Sequence, residues 1–488
     1  MKTIYTYIII CALTIAGLCA CDDGDSFSTS PDRLLTFSVD TVRMDTVFST
    51  VPSSTRSFWI YNRSGDGLRC SSVRLEGGNQ NGFRVNVDGT YLSPEQGYKA
   101  DGIEVRKGDS IRVYVEVTTA IARGDGPTEL NDYLVFELES GVQQKVVLNA
   151  WSWNADFLRS PTYTADAVID AGKPIVVYGT MTVEPGATLT LAPGTTLYFH
   201  DGAGIDVKGR LLSQGTPENP IVMRGDRLDK MFDYLPYDRV SGQWSGVRLR
   251  DTSYDNVIEY TDLHSSFDGL VVDSSDVARQ TLTLANSTIH NCQGYALHIV
   301  NSKAVIENCQ LTNSLQNCLK VDGGDVTLNN CTLAQFYPFD SNRAAALSFS
   351  ALDYPLVQFV CRNTLITGYS DDEMMGGKPT GDNANAFNYS FENCVIRTPE
   401  VTDDEEAPHF VDVVYEANEN ADSVGMGHFV KVDGDQQYYD FHLAATSVAI
   451  GRANPATSIA TDRDGNSRDA TPDIGAYEFF KTENDEQE

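Results

Sequence analysis

Val305-Ile306-Glu307-Asn308-Cys309-Gln310-Leu311 and Thr327-Leu328-Asn329-Asn330-Cys331-Thr332-Leu333 are two copies of one phrase, 22 residues apart. The same phrase, with substitutions, recurs at Val257–Leu263, Thr283–Ile289, Phe359–Leu365 and Tyr389–Ile396. Leu263, Ile289, Leu311, Leu333, Leu365 and Ile396 close the six copies at offsets of 26, 22, 22, 32 and 31. A period in the low twenties, lengthened where loops are inserted, is the signature of a solenoid. The units alternate with period two, are rich in β-branched residues and Asn, and carry no helical period. That predicts strands coiled into a parallel β-helix.

Stacking the copies gives columns with a physical reading. Thr261, Ser287, Cys309, Cys331, Asn363 and Cys394 fall in one, where a small side chain suits a tight bend. Cys309 and Cys331 should lie one above the other, about 4.8 Å apart. Asn286, Asn308, Asn330 and Asn393 sit beside that bend, and Asn tolerates left-handed backbone angles and bonds to its neighbour on the next rung. A second strand column follows in Leu270-Val271-Val272, Leu297-His298-Ile299, Leu319-Lys320-Val321 and Leu347-Ser348-Phe349. Its outer residues should face inward and its middle residues outward.

The array starts near Tyr163 and runs to 480. Thr188-Leu189-Thr190-Leu191-Ala192-Pro193-Gly194 opens one early rung and Ile205-Asp206-Val207-Lys208-Gly209 another. Together with Thr461-Asp462-Arg463-Asp464-Gly465-Asn466 and Asp473-Ile474-Gly475-Ala476-Tyr477-Glu478-Phe479 near its end, this text resembles the right-handed parallel β-helix proteins of Bacteroidota, with the pectate-lyase-like fold. Residues 34–153 read differently: Arg56–Tyr61, Gly82–Val87, Ser110–Val115 and Asp132–Leu138 alternate between turns such as Gly65-Asp66-Gly67 and Lys107-Gly108-Asp109. Short strands at this spacing predict a β-sandwich. The segment resembles the immunoglobulin-like domains that precede larger domains in Bacteroidota lipoproteins, without the paired Cys and Trp of antibody domains. The expected fold class is therefore all-β, a sandwich followed by a right-handed parallel β-helix, with residues 481–488 a disordered tail.

The chain begins with Lys2, an apolar run from Ile8 to Leu18, and Leu18-Cys19-Ala20-Cys21. An apolar core closed by small residues reads as a secretory signal over 1–20. The last four residues resemble a bacterial lipobox, which implies a lipid anchor on Cys21. Residues 21–33 form an acidic linker, and Asp22-Asp23-Gly24-Asp25 resembles the surface-export signal of Bacteroidota lipoproteins. Asp40-Thr41-Val42, Asp45-Thr46-Val47, Asp109-Ser110-Ile111 and Asp422-Ser423-Val424 resemble that phylum's O-glycosylation sites. The expected location is the outer membrane, lipid-anchored and facing the exterior, with the protein a monomer.

The formal charge of −32 gives the protein no electrostatic means of gripping nucleic acid, so no nucleic-acid partner is expected. An anionic glycan would need calcium or local arginines, and calcium is the one cofactor that enters the expectations. Seven cysteines follow the anchor, an odd number, and none forms a CxxC pair of the kind that binds zinc. No metal site is expected.

Two groups of residues carry candidate chemistry. His264 and His290 each follow the closing apolar residue of a rung and so share a column, with Asp262 and Asp268 near in sequence. A His beside a carboxylate can act as an acid–base pair; exposed polar residues on a solenoid face would look the same. His298 and Lys320 stack outward on the second column. The insertion 225–242 carries Phe232, Tyr234 and Tyr237, with Trp244 after it, and such aromatics can stack on sugar rings or pack against the protein. Arg248 and Arg250 follow Trp244. Pectate lyases of this fold use acidic calcium ligands and an arginine base, and polygalacturonases use clustered Asp with Gly-His-Gly. The chain has no Gly-Asp-Asp, Gly-His-Gly or Arg-Ile-Lys. That absence favours a glycan or surface partner bound without catalysis. The alternative is a polysaccharide lyase or glycoside hydrolase acting on an acidic polysaccharide, and a purely structural surface protein is a third reading.

Overall fold

The computed structural model describes residues 26–122, 124, 126–381, 384–416 and 425–481. The signal segment, Cys21, the acidic cluster after it, Asp422-Ser423-Val424 and residues 482–488 lie outside the described residues. The chain divides into two compact units, Met1–Asn154 and Ala155–Glu488. Among the described residues no helix is long and apolar enough to cross a membrane.

The first unit is a β-sandwich. One sheet holds Arg56–Tyr61, Ser110–Val117 and Phe83–Val87; the other holds Thr41–Phe48, Gln143–Trp153, Thr128–Leu138 and Leu68–Leu75. Alternation decides which side chains meet. Ile111, Val113, Val115 and Val117 are buried while Tyr114 between them is exposed. Phe58, Ile60, Val85, Phe136 and Leu148 complete the core. Most pairings are antiparallel, but Gln143–Trp153 runs parallel to Thr41–Phe48.

The second unit is a parallel β-helix. One eleven-stranded sheet stacks Asp156–Arg159, Ile175–Tyr178, Thr196–Phe199, Ile221–Gly225, Thr261–His264, Thr288–Cys292, Gln310–Ser314, Thr332–Gln335 and Leu365–Gly368 in order, ending with Val395–Ile396 and Val414–Tyr415. A seventeen-stranded sheet forms the remaining walls of the coil, and Leu297–Glu307 and Leu319–Asn329 run through two walls without a break. One continuous core fills the coil, from Met181 and Leu189 through Leu263, Ile289, Leu311 and Leu333 to Phe391 and Ile396. Each such side chain contributes roughly 1.5–3 kcal/mol by leaving water.

The corner between walls explains the Asn column. Asn286, Asn308, Asn330, Asn363 and Asn393 all have positive φ, between 47° and 52°. Asn is among the few non-glycine residues that accept this region. The structure corrects one register. Asn363 belongs with these asparagines, and Thr364 takes the small-residue column between Cys331 and Cys394, because Thr332 pairs with Leu365 and Leu333 with Ile366. Leu365 and Ile366 are both apolar, so side-chain character alone did not separate the two alignments. Cys309 and Cys331 do stack, the Cys309 N–H lying 3.4 Å from Cys331 Sγ. The seven cysteines among the described residues are buried thiols, and burial pushes Cys292 and Cys318 up to about 12.

Residues 426–479 return along the outside of the eleven-stranded sheet. Phe336, Leu365 and Val395 pack there with Phe429, Phe441, Ile474 and Tyr477. The Asn column holds this returning segment: Asn308 donates to Thr461 O at 2.8 Å, Asn330 accepts from Ile459 N at 3.0 Å, and Asn363 accepts from Asn454 N at 2.8 Å. Asn308 and Asn363 also reach the preceding rung, donating to Asn286 Oδ1 at 3.1 Å and to Asn329 Oδ1 at 2.9 Å.

Candidate functional site

On the strand Thr261–His264, Leu263 points into the core. By period two, Asp262 and His264 project together from the outer face. The parallel register sets His290 directly beside His264 on the next rung, with ring centroids 4.8 Å apart. Asp262 Oδ1 lies 3.0 Å from His264 Nδ1 and 3.1 Å from His290 Nε2. Three of the four residues expected to work together are therefore together.

A fourth group arrives from the insertion. Residues Tyr237–Arg239 form a short 3-10 helix that brings Asp238 Oδ1 to 3.0 Å from His264 Nε2 and 2.5 Å from Arg224 Nη1. Burial alone would push the His264 pKa down, but the carboxylates of Asp262 and Asp238 outweigh it and lift it to about 9. The same contacts, against burial, hold Asp238 at about 2. Both carboxylates thus favour the cationic form of His264 and disfavour its use as a general base.

Asp268 stands apart. Its Oδ1 accepts the Tyr295 N–H at 3.0 Å, and its carbonyl lies where a Cβ on Gly246 would be, so it shapes a turn rather than joining the histidines. Trp244 needs a correction too. It is 1 % exposed, stacks on Phe199 at 4.1 Å and donates from Nε1 to His264 O at 2.8 Å. It is a core residue of its rung and offers no face to a sugar. Tyr237 lies under the Arg227 guanidinium at 3.8 Å. Phe232 and Tyr234 are exposed and stack on each other at 5.7 Å, and neither lines the cleft beside His290. His298 and Lys320 both reach Asp322 Oδ2, each at 2.9 Å. Burial opposes ionisation of Asp322, but these hydrogen bonds prevail and hold its carboxyl far below the usual range. Arg248 and Arg250 are taken up by Asp273, and Arg250 also by Asp206.

The most informative concavity adjoins His290. It is a cleft of about 350 Å³ lined among others by Arg239, His290, Tyr438, His442, Arg463 and Tyr477. His442 repeats the His264 arrangement, with Nδ1 2.6 Å from Asp440 and Nε2 2.8 Å from Asp464. The hydrogen bond to Asp464 leads in raising its pKa to about 9, against burial. Arg239 lies over the Tyr438 ring at 5.1 Å and has no carboxylate partner among the described residues. These residues come from the insertion and the returning segment, outside the repeat. One signal did exist: Asp440-Phe441-His442 has the carboxylate–x–imidazole spacing of Asp262-Leu263-His264.

Calcium, the one cofactor among the expectations, suits neither the histidine cluster nor the 462–466 loop. The imidazoles beside Asp262 are poor partners for an ion that takes six to eight oxygens. In the 462–466 loop, Asp462 Oδ1 already accepts the N–H groups of Asp464 and Asn466, and its Oδ2 that of Glu478. That loop is a structural turn.

Residues 181–350 match the family model described as a right handed beta helix region. The solenoid is a right-handed β-helix. No curated protein matches the chain. Solved structures similar to parts of it include the catalytic unit of a thermostable GH87 alpha-1,3-glucanase from Streptomyces thermodiastaticus, at 12% identity over 74% of this chain and 88% of that one, with a TM-score of 0.28. Pectate lyase Pel9A is similar at 13% identity over 66% and 96%, TM-score 0.21. A PapD-like domain of human CEP192 is similar at 11% over 26% and 92%, TM-score 0.18. None of these likenesses assigns an activity.

Proposed function

We propose that this protein is a surface lipoprotein, anchored through Cys21 in an outer membrane, whose β-helix binds an acidic polysaccharide without cleaving it. One observation carries the reading. In a chain of net charge −32, the cleft beside His290 presents Arg239, which has no carboxylate partner among the described residues, among tyrosine rings, while His442 and Arg463 there are held by Asp440 and Asp464. Cations donate to a sugar carboxylate and tyrosine faces stack on the pyranose ring. The test is affinity electrophoresis through gels containing polygalacturonate, alginate or a neutral glucan, with and without calcium. Retention by one acidic gel, lost in Arg239→Ala and weakened by salt, supports the proposal. Equal mobility in every gel overturns it.

The lyase or hydrolase reading rests on the His290–Asp262 pair at the cleft edge, where Asp262 orients the ring through Nε2. A depolymerisation screen on the same polysaccharides, reading new reducing ends and unsaturated products, decides it. Activity that disappears in His290→Ala replaces binding with catalysis.

A further inference from the structure

Asp262 Oδ1, His264 Nδ1 and His290 Nε2 converge so closely that the three atoms lie within 4.8 Å of one another. Two edges of this triangle, 3.0 and 3.1 Å, are near the roughly 3.3 Å that separates neighbouring ligand atoms around a tetrahedral zinc ion. The remaining edge, between the two imidazole nitrogens, is no longer than 4.8 Å, and His290 is half-buried at the cleft edge. The geometry points to a binding site for a first-row divalent transition metal, zinc-like in preference, built from Asp262, His264 and His290. One carboxylate and two imidazoles suit such ions and disfavour calcium and magnesium.

Asp238 provides an independent argument. A metal-bound imidazole usually hands its other ring N–H to a carboxylate, which fixes the tautomer and strengthens the ligand. Asp238 Oδ1 occupies that place on His264, 3.0 Å from Nε2, and is itself held by Arg224. With Nε2–H committed to Asp238, Nδ1 is the nitrogen left for the metal, and the proton on it leaves to the buffer as the ion arrives. Asp262 turns its Oδ1 to both histidines at once. The backbone dictates this arrangement: Asp262 and His264 are two residues apart on one strand, and His290 is their register neighbour. The site needs no glycan and stands apart from the function proposed above.

The test is calorimetric titration of the full chain, first stripped with chelator, with zinc chloride alone. One equivalent should bind, and the same addition should raise the thermal unfolding temperature. Asp262→Asn and His290→Gln should abolish that equivalent while each variant, in chelator, unfolds in the same single transition as the parent. Asp238→Asn should keep the stoichiometry and weaken affinity about 10- to 100-fold. Zinc uptake by the parent no greater than that of His290→Gln would overturn the assignment. So would an Asp238→Asn protein that binds zinc as tightly as the parent.

Discussion

Arg468 and Glu478 form an ion pair 3.1 Å long with both side chains almost wholly shielded from water, 2 % and 3 % exposed. Arg468 also donates to Asn308 Oδ1 at 3.2 Å and to Gly475 O at 2.8 Å, so one guanidinium joins the returning segment to the Asn column. Removing one member of a buried pair strands the other, at a cost of roughly 3–5 kcal/mol. Arg468→Met should therefore lower the urea midpoint of the β-helix and open residues 454–478 to protease. A variant as protease-resistant as the parent would contradict this role.

Asn330 separates conformation from hydrogen bonding. Its φ is +50°, its Oδ1 accepts Ile459 N–H, and its Nδ2 donates to Ser458 Oγ at 3.2 Å. Asn330→Gly keeps the backbone angle and loses the bonds; Asn330→Ala loses both. The Ala variant should cost about 3 kcal/mol, and the Gly variant about 1 kcal/mol less than that. Equal losses in chemical denaturation would mean that the left-handed corner is not what selects Asn.

His442 gives a pH dependence with a definite sign. Its folded pKa, about 9, lies above the ordinary value near 6.5 because Asp464, then Asp440, stabilise the cation against burial. The stabilisation is complete below pH 6.5 and is lost as pH rises to 9 and beyond. Melting temperature should fall over that window in the parent and fall less in His442→Gln. Parallel pH profiles would show that the histidine is not charged in the fold.

Arg239 and Trp244 should part company in paired assays. Trp244→Ala empties a core site and should cost about 3–5 kcal/mol of stability. Arg239→Ala removes a surface cation and should change stability by no more than about 0.5 kcal/mol while reducing retention by an acidic polysaccharide. Loss of retention in Trp244→Ala at a temperature where it remains folded would restore Trp244 to the sugar site.

The solenoid was legible because a rung repeats its own chemistry: Asn308-Cys309 and Asn330-Cys331 meet in space since they meet in period. His264 and His290 were legible for the same reason, and Asp262 through its two-residue spacing. What escaped was contributed by segments with no period. Asp238 comes from a loop insertion, and His442, Arg463 and Tyr477 from the segment that folds back over finished rungs. Trp244 was misread because it follows that loop in sequence. Its backbone already bridges Ser266 in parallel, which makes it part of the stack and buries it. Asn363 slipped by one place because two adjacent apolar residues satisfied the same column; its positive φ resolves the choice.

The fold-back of residues 454–478 also imposes an order of events during synthesis. Every rung it covers leaves the ribosome before it does, so the side-chain amides of Asn308, Asn330 and Asn363 stay wet until residues 454–468 have emerged. A nascent or prematurely terminated chain would therefore present a coiled but unsealed flank, open to chaperones and proteases. Closure of that flank seals the coil.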